Sequence, residues 1–189
     1  MQRLLLLIIL ILPLSSNAQS VDDLQWGTAV DGLQMSISRI KDADPKVPSF
    51  QVALRNVGEK DIILNLGAML ANGKMQEPDA LSFIITDANG RTLRAHFAGV
   101  WSVDGRVDDY IVPLRAGSMY TLRLSSRSFA LPIDNMFIAP RLLSSGNSTI
   151  MAEFDGGGAK ATNLDTPGLK LMNFWTGKLQ STVLKVEAR

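Results

Sequence analysis

The strongest constraint on this chain is the spacing at which apolar residues recur, which is two. In "GLQMSIS", Leu33, Met35 and Ile37 alternate with Gln34, Ser36 and Ser38. In "SFQVALRNVG", Phe50, Val52 and Leu54 alternate with Gln51 and Arg55, and in "DIILNLG" Ile62, Leu64 and Leu66 stay in phase after a polar turn at Glu59 and Lys60. Successive side chains leave opposite faces of a β-strand, so each run predicts a strand with one face on a core. Tyr110, Val112 and Leu114 form another such run, followed by the turn "RAGS" and then by Tyr120, Leu122 and Leu124. Ile150, Ala152 and Phe154 share one face of "STIMAEFD". "GKLQSTVLKVEA" reads as one last strand, with Thr182, Leu184 and Val186 on one face and Leu179, Ser181 and Val183 on the other.

Turn chemistry punctuates these runs. Leu81, Phe83 and Ile85 alternate up to "DANG", and the β-compatible pair Thr92 and Leu93 resumes after it. Asn89 and Gly90 tolerate positive φ, and the Asp87 carboxylate can accept backbone N–H groups, so the stretch predicts a hairpin. A calcium loop of the EF-hand type would need an acid or amide two residues before Asp87, where Ile85 stands, and a downstream Glu in place of the basic "RTLR". Pro113 cannot donate to a ladder, which predicts an edge strand or a bulge at that point. No long segment shows a 3.6-residue period, although a short helical turn fits "IDNMFIAPRLL". About 7–9 strands separated by polar turns point to an all-β, antiparallel, immunoglobulin- or fibronectin-like β-sandwich. Connections at 67–79, 95–107 and 156–174 are longer than hairpin turns, and long loops on a rigid sandwich are natural binding sites.

The N-terminus sets the expected address. Arg3, the apolar run Leu4 to Leu14, and the small residues Ser16 and Ala18 have the layout of a secretory signal peptide over 1–18, cut after Ala18. That apolar run is about half of the roughly 20 residues a bilayer span needs. The mature chain 19–189 is then a single exported domain, periplasmic or extracellular, with no membrane insertion after cleavage. It has no cysteine, which excludes disulfides, thiol catalysis and cysteine-held metal centres. Lys+Arg number 19, Arg3 among them, against 18 Asp+Glu, so the mature charge is near zero and nothing in it attracts nucleic acid.

The order "WGTAVDGLQMSIS", "FQVALRNVGEKDIILNLG", "LSFIITDANGRTL", "VPLRAGSMYTLRL" and "FWTGKLQSTVLKV" resembles a class of exported bacterial Ig-like sandwich modules. Their marks are an Asn-x-Gly turn, here Asn56 to Gly58, and a strand entering an Asp-x-x-Gly hairpin, here Asp87 to Gly90. An l-x-x-G turn at Leu114 to Gly117 and a W-x-G-x-x-x-S entry at Trp175 to Ser181 complete the set. The strand–hairpin–strand order partly resembles BsuPI-type proteinase inhibitor domains as well. The resemblance covers most of 26–186 and implies fold and exported location; its motifs are turns and core positions.

The residues offer little chemistry. His96 is the only histidine, so one chain cannot build a multi-histidine metal site, and no G-x-S-x-G elbow surrounds any serine. "DGGGAK" at 155–160 lacks the spacing of a phosphate-binding loop. Asp104, Asp108 and Asp109 group carboxylates as a Ca²⁺ site does, while Arg106 among them favours a solvated loop with local ion pairs. Trp101 stands in the polar stretch "GVWSVDG", where an exposed indole could contact a ligand; Trp175, before the last strand, fits the end of a core. Trp101, Asp104, Asp108 and Asp109 are therefore the candidate ligand-contact loop.

The expectation is a non-enzymatic module, without cofactor or metal, that binds another envelope or secreted protein or plays a structural part. Two alternatives stand beside it: a proteinase inhibitor presenting a loop to an extracellular protease, and a carbohydrate-binding module that uses Trp101.

Overall fold

The computed structural model describes residues 24–41, 46–70, 73–98, 106–131, 147–160, 168 and 171–186. The signal-like segment 1–18 and the turn expected in "IDNMFIAPRLL" lie outside the described residues. The chain is an all-β sandwich whose strands are β1 (Leu33–Ile40), β2 (Ser49–Asn56), β3 (Ile62–Leu70), β4 (Met75–Glu77), β5 (Leu81–Thr86), β6 (Thr92–Phe97), β7 (Asp108–Leu114), β8 (Met119–Ser125), β9 (Phe129–Ala130), β10 (Ser148–Gly156), β11 (Gly177–Gln180) and β12 (Leu184–Val186). These twelve exceed the expected number for three local reasons. Part of the connection 67–79 folds back on β3 as β4, the short β9 caps β6, and the expected last strand is two strands.

Every ladder between these strands is antiparallel. One sheet runs β1-β2-β8, a second β4-β3-β7, and a third β11-β10-β5-β6-β9 with β12 also on β10. The third packs against the first two across the core. Phe83 of β5 meets Phe50 of β2 edge-on at 5.5 Å between ring centroids and Phe129 at 4.1 Å. Phe154 of β10 stacks on Trp175, whose main-chain N–H donates to Ile63 O of β3 at 2.8 Å. The alternating residues of the sequence fill this core: Leu33, Met35, Phe50, Val52, Leu54, Phe83, Ile85, Ile150 and Phe154 are wholly buried.

The hairpin at Asp87 forms as expected, with a wider loop than a two-residue turn. Gly90 N donates to Asp87 O, Asp87 N donates to Arg91 O, and Gly90 takes φ +79° while Asn89 keeps negative φ. This is the three-residue loop closed by a glycine bulge. Asp87 Oδ1 accepts from Asn89 N and Arg91 N at 2.9 Å each, which occupies the carboxylate locally.

The turns after β2 and after β7 are crossovers between sheets, because β2 pairs only with β1 and β8 while β3 and β7 pair with each other. Buried Asn56 joins the two crossovers. Its Nδ2 donates to Lys60 O at 2.8 Å and Leu114 O at 3.0 Å, and its Oδ1 accepts from Gly58 N. Pro113 falls on β7, an edge strand of its sheet, where its missing N–H costs no ladder bond.

The expected last strand breaks at Ser181. Ser181 N and Oγ exchange bonds with Ala152 O and N at 2.9 Å, and the ladder to β10 resumes only at Leu184. The break shifts the phase, so Leu179 and Val186 are both buried while Val183 is 62 % exposed. Within the described residues no helix is long and apolar enough to cross a membrane.

Candidate functional site

Of the residues singled out in sequence, Trp101 and Asp104 lie outside the described residues. Asp108 and Asp109 belong to β7 and part company there. Asp108 Oδ1 accepts from Arg106 Nε at 2.7 Å, the local ion pair expected from sequence. Asp109 is buried, and its Oδ1 accepts from Asn65 Nδ2 and from Lys160 N, both at 2.7 Å. Its donors are an amide and a main-chain N–H, so this carboxylate holds loops together in place of lying in a solvated loop. Among the described residues no group of three or more His, Asp or Glu is placed to hold a metal ion.

Two other places combine access with hydrogen-bonding capacity. The first is the outer edge of β8. Asn56 N donates to Ser118 O and Ser126 N to Pro48 O, which fixes which residues of β8 turn toward β2. Bonded pairs recur every second residue in an antiparallel ladder. Tyr120, Leu122 and Leu124 therefore direct N–H and C=O at β2, and Thr121 and Arg123 direct theirs away from it. Among the described residues no strand pairs with that edge, which borders a cleft of about 280 Å³ that Tyr110, Gln76 and Phe97 also line. Tyr110 Oη donates to Gln76 Oε1 at 2.9 Å, leaving Tyr120 to donate the 2.6 Å hydroxyl–hydroxyl bond. Burial first, and then the bond to Tyr120, push the Tyr110 phenol well above its ordinary pKa. The strands of this sheet contain Arg39, Arg55 and Arg123 and no carboxylate.

The second place is the outer face of the third sheet. Register sets Gln180, Glu153, Ser82 and His96 in one row across β11, β10, β5 and β6. Glu153, 3 % exposed, forms a bidentate ion pair with Arg94 and accepts from Gln180 Nε2 at 2.8 Å. The Arg94 hydrogen bond holds the Glu153 carboxyl below the usual glutamate range, outweighing its burial. Clefts of about 590 Å³ and 340 Å³ open on either side of Glu153, which lines both. The larger reaches Trp26 and the smaller reaches His96, Asp79 and Lys160.

Trp26 is held in place before any ligand arrives. The Arg55 guanidinium lies 4.2 Å from its ring centroid. Arg55 Nη2 donates to Gln34 Oε1 at 2.6 Å, and Gln34 Nε2 donates to Gly27 O at 3.2 Å. Sequence reasoning gave Trp26 no specific role, and "LQWGT" alone carries no sign of this clamp, since Gln34 and Arg55 come from two other strands.

No protein-family model matches the chain, and no curated protein matches it either. Among solved structures it is similar to the Northeast Structural Genomics Consortium target SoR45, at 13% identity and a TM-score of 0.39 over 85% of this chain and 90% of that one. It is also similar to the yjhA protein from Bacillus subtilis, at 14% identity and a TM-score of 0.31 over 87% of this chain and 96% of that one. These likenesses concern the course of the chain and carry no functional argument.

Proposed function

We propose that this protein is an exported, Ig-like interaction module that takes an extended, acidic segment of another envelope or secreted protein as an added strand on β8. The observation that carries this reading is the outer edge of β8, unpaired among the described residues, with the main chain of Thr121 and Arg123 facing a cleft. Strand addition draws its affinity from such main-chain groups and its specificity from alternate side chains. The chemistry of the occupant follows from the surroundings. Residues turned toward the cleft would meet Leu122, Leu124 and Phe97 and should be apolar. Residues on the opposite face would lie beside Arg123, in a sheet with three arginines and no carboxylate, and should be acidic. A second copy of the chain fits less well, because antiparallel pairing of two β8 strands sets arginines of like charge close together. Export rests on the signal-like N-terminus and the module resemblance.

The test is selection of a random peptide library on residues 19–189, followed by binding of the enriched peptides to Thr121→Pro. Proline at an outward-facing edge position removes one donor without breaking the ladder to β2. Expected are peptides alternating acidic and apolar residues that bind the parent chain and not Thr121→Pro, with unchanged circular dichroism. Enriched peptides without that alternation, or equal binding to the proline variant, would overturn the reading.

A further inference from the structure

We infer that the outer face of the third sheet is a second binding surface, separate from the β8 edge, and that its ligand is a neutral glycan chain. Three observations converge. Trp26 offers an indole clamped by Arg55 at the wall of the larger cleft, and a fixed aromatic surface is what a sugar ring packs on through its C–H groups. Beyond it, the row Gln180, Glu153, Ser82, His96 crosses four strands, with the Gln180 amide and the His96 imidazole exposed at its ends and Glu153 and Ser82 buried between them, both bonded to the exposed Arg94. Neighbouring strands lie about 4.8 Å apart, so this row spans about 14 Å, room for a few linked rings.

Charge decides the class of ligand. The two clefts are lined by the cations Arg94, Lys160 and Lys178 and by the anions Asp79, Glu153 and Asp155. The signs balance, so the surface favours neither a polyanion nor a polycation. What it offers is fixed donors and acceptors, suited to a polyhydroxylated chain. Arg94 and Gln180 are fixed by their bonds to buried Glu153, so little side-chain freedom is lost when hydroxyls bond to these two exposed groups. The β8 edge lies in a different sheet, and the two sites can fail separately.

The experiment is titration calorimetry of residues 19–189 with cellohexaose, chitohexaose, maltohexaose and xylohexaose, with tryptophan fluorescence followed in parallel. At least one is expected to bind with Kd below about 1 mM. Trp26→Ala should weaken that binding about tenfold or more, consistent with the worth of a stacked aromatic. Gln180→Leu, an exposed change that leaves the clamp intact, should weaken it severalfold while the protein stays folded by circular dichroism. Because Trp26→Ala could also loosen the β1 edge, Gln180→Leu is the deciding variant. No binding by any of the four sugars, or equal affinity in Gln180→Leu, would overturn the inference.

Discussion

Asn65 Nδ2 donates a 2.7 Å hydrogen bond to Asp109 Oδ1, and through it an irregularity in β3 is tied to the start of β7. The same nitrogen donates to Gly158 O at 2.8 Å, and Asn65 Oδ1 accepts from Gly67 N at 3.1 Å. With Lys160 N also on Asp109, one buried amide–carboxylate pair holds the bulge of β3, the start of β7 and the loop after β10. The β3–β7 register shifts between Asn65 and Ala68, and these bonds pair polar groups that the shift removes from the ladder.

Asp109→Ala should therefore destabilise the fold by about 2 kcal/mol, since it leaves one N–H of buried Asn65 and the part-buried main-chain N–H of Lys160 without their acceptor. Urea unfolding measures this. Added calcium should leave the parent midpoint unchanged, because Asp109 is already committed to N–H donors; a calcium-dependent rise would reinstate it as a ligand.

Gly67 is the hinge of the bulge. It takes φ +140°, and a Cβ there would run into Glu77 O and the Asp79 carboxylate. Gly67→Ala should cost about 3 kcal/mol or more, from backbone strain and the clash together. Hydrogen exchange should locate the loss in β3 and β4; a variant as stable as the parent would show that the bulge can relax.

Acid should weaken the third sheet through Glu153. Its folded-state pKa lies below the ordinary 4.5, so its contribution is present above that value and is lost as pH falls through the folded pKa. Arg94 is 41 % exposed, which limits the effect to about 1 kcal/mol. Asp79 works in the opposite sense, its pKa raised first by partial burial of the carboxyl; the residue still reaches solvent, which screens the effect, so Glu153 should dominate. Glu153→Gln should flatten the acid limb of the midpoint-against-pH curve, and an unchanged limb would assign acid sensitivity elsewhere.

Tyr110 governs the alkaline side. Its folded-state pKa lies above the ordinary 10.0, so its contribution is complete below that pH and is lost as pH rises through the folded value. Tyr110→Phe should cost about 1 kcal/mol at neutral pH for the lost hydroxyl bonds and remove part of the alkaline destabilisation. Thermal unfolding across the alkaline range tests both halves.

Much of the sandwich was legible from spacing alone. Phe50, Val52 and Leu54, or Ile150, Ala152 and Phe154, point inward because alternation is a property of one strand and needs no partner. The Asp87 hairpin and the edge position of Pro113 follow from the chemistry of single residues. Ser36 and Ala53 break the pattern, buried on the face that alternation gave to solvent. For Ser36 the reason lies outside its strand, since the segment around Trp26 bridges to it.

The candidate sites were legible only in their parts. "MYTLRLS" announces a strand but not that one of its edges has no partner strand among the described residues, because that depends on which strands pair with β2 and β3. Gln180, Glu153, Ser82 and His96 are far apart in the chain, and only the pairing of four strands sets them in a row. Leu179 and Val186 share the core because Ser181 breaks the ladder against Ala152, a contact between distant segments. Local chemistry determined the strands, the turns and most of the core; strand order, edges and the outward-facing rows were decided by packing between residues that the sequence holds far apart.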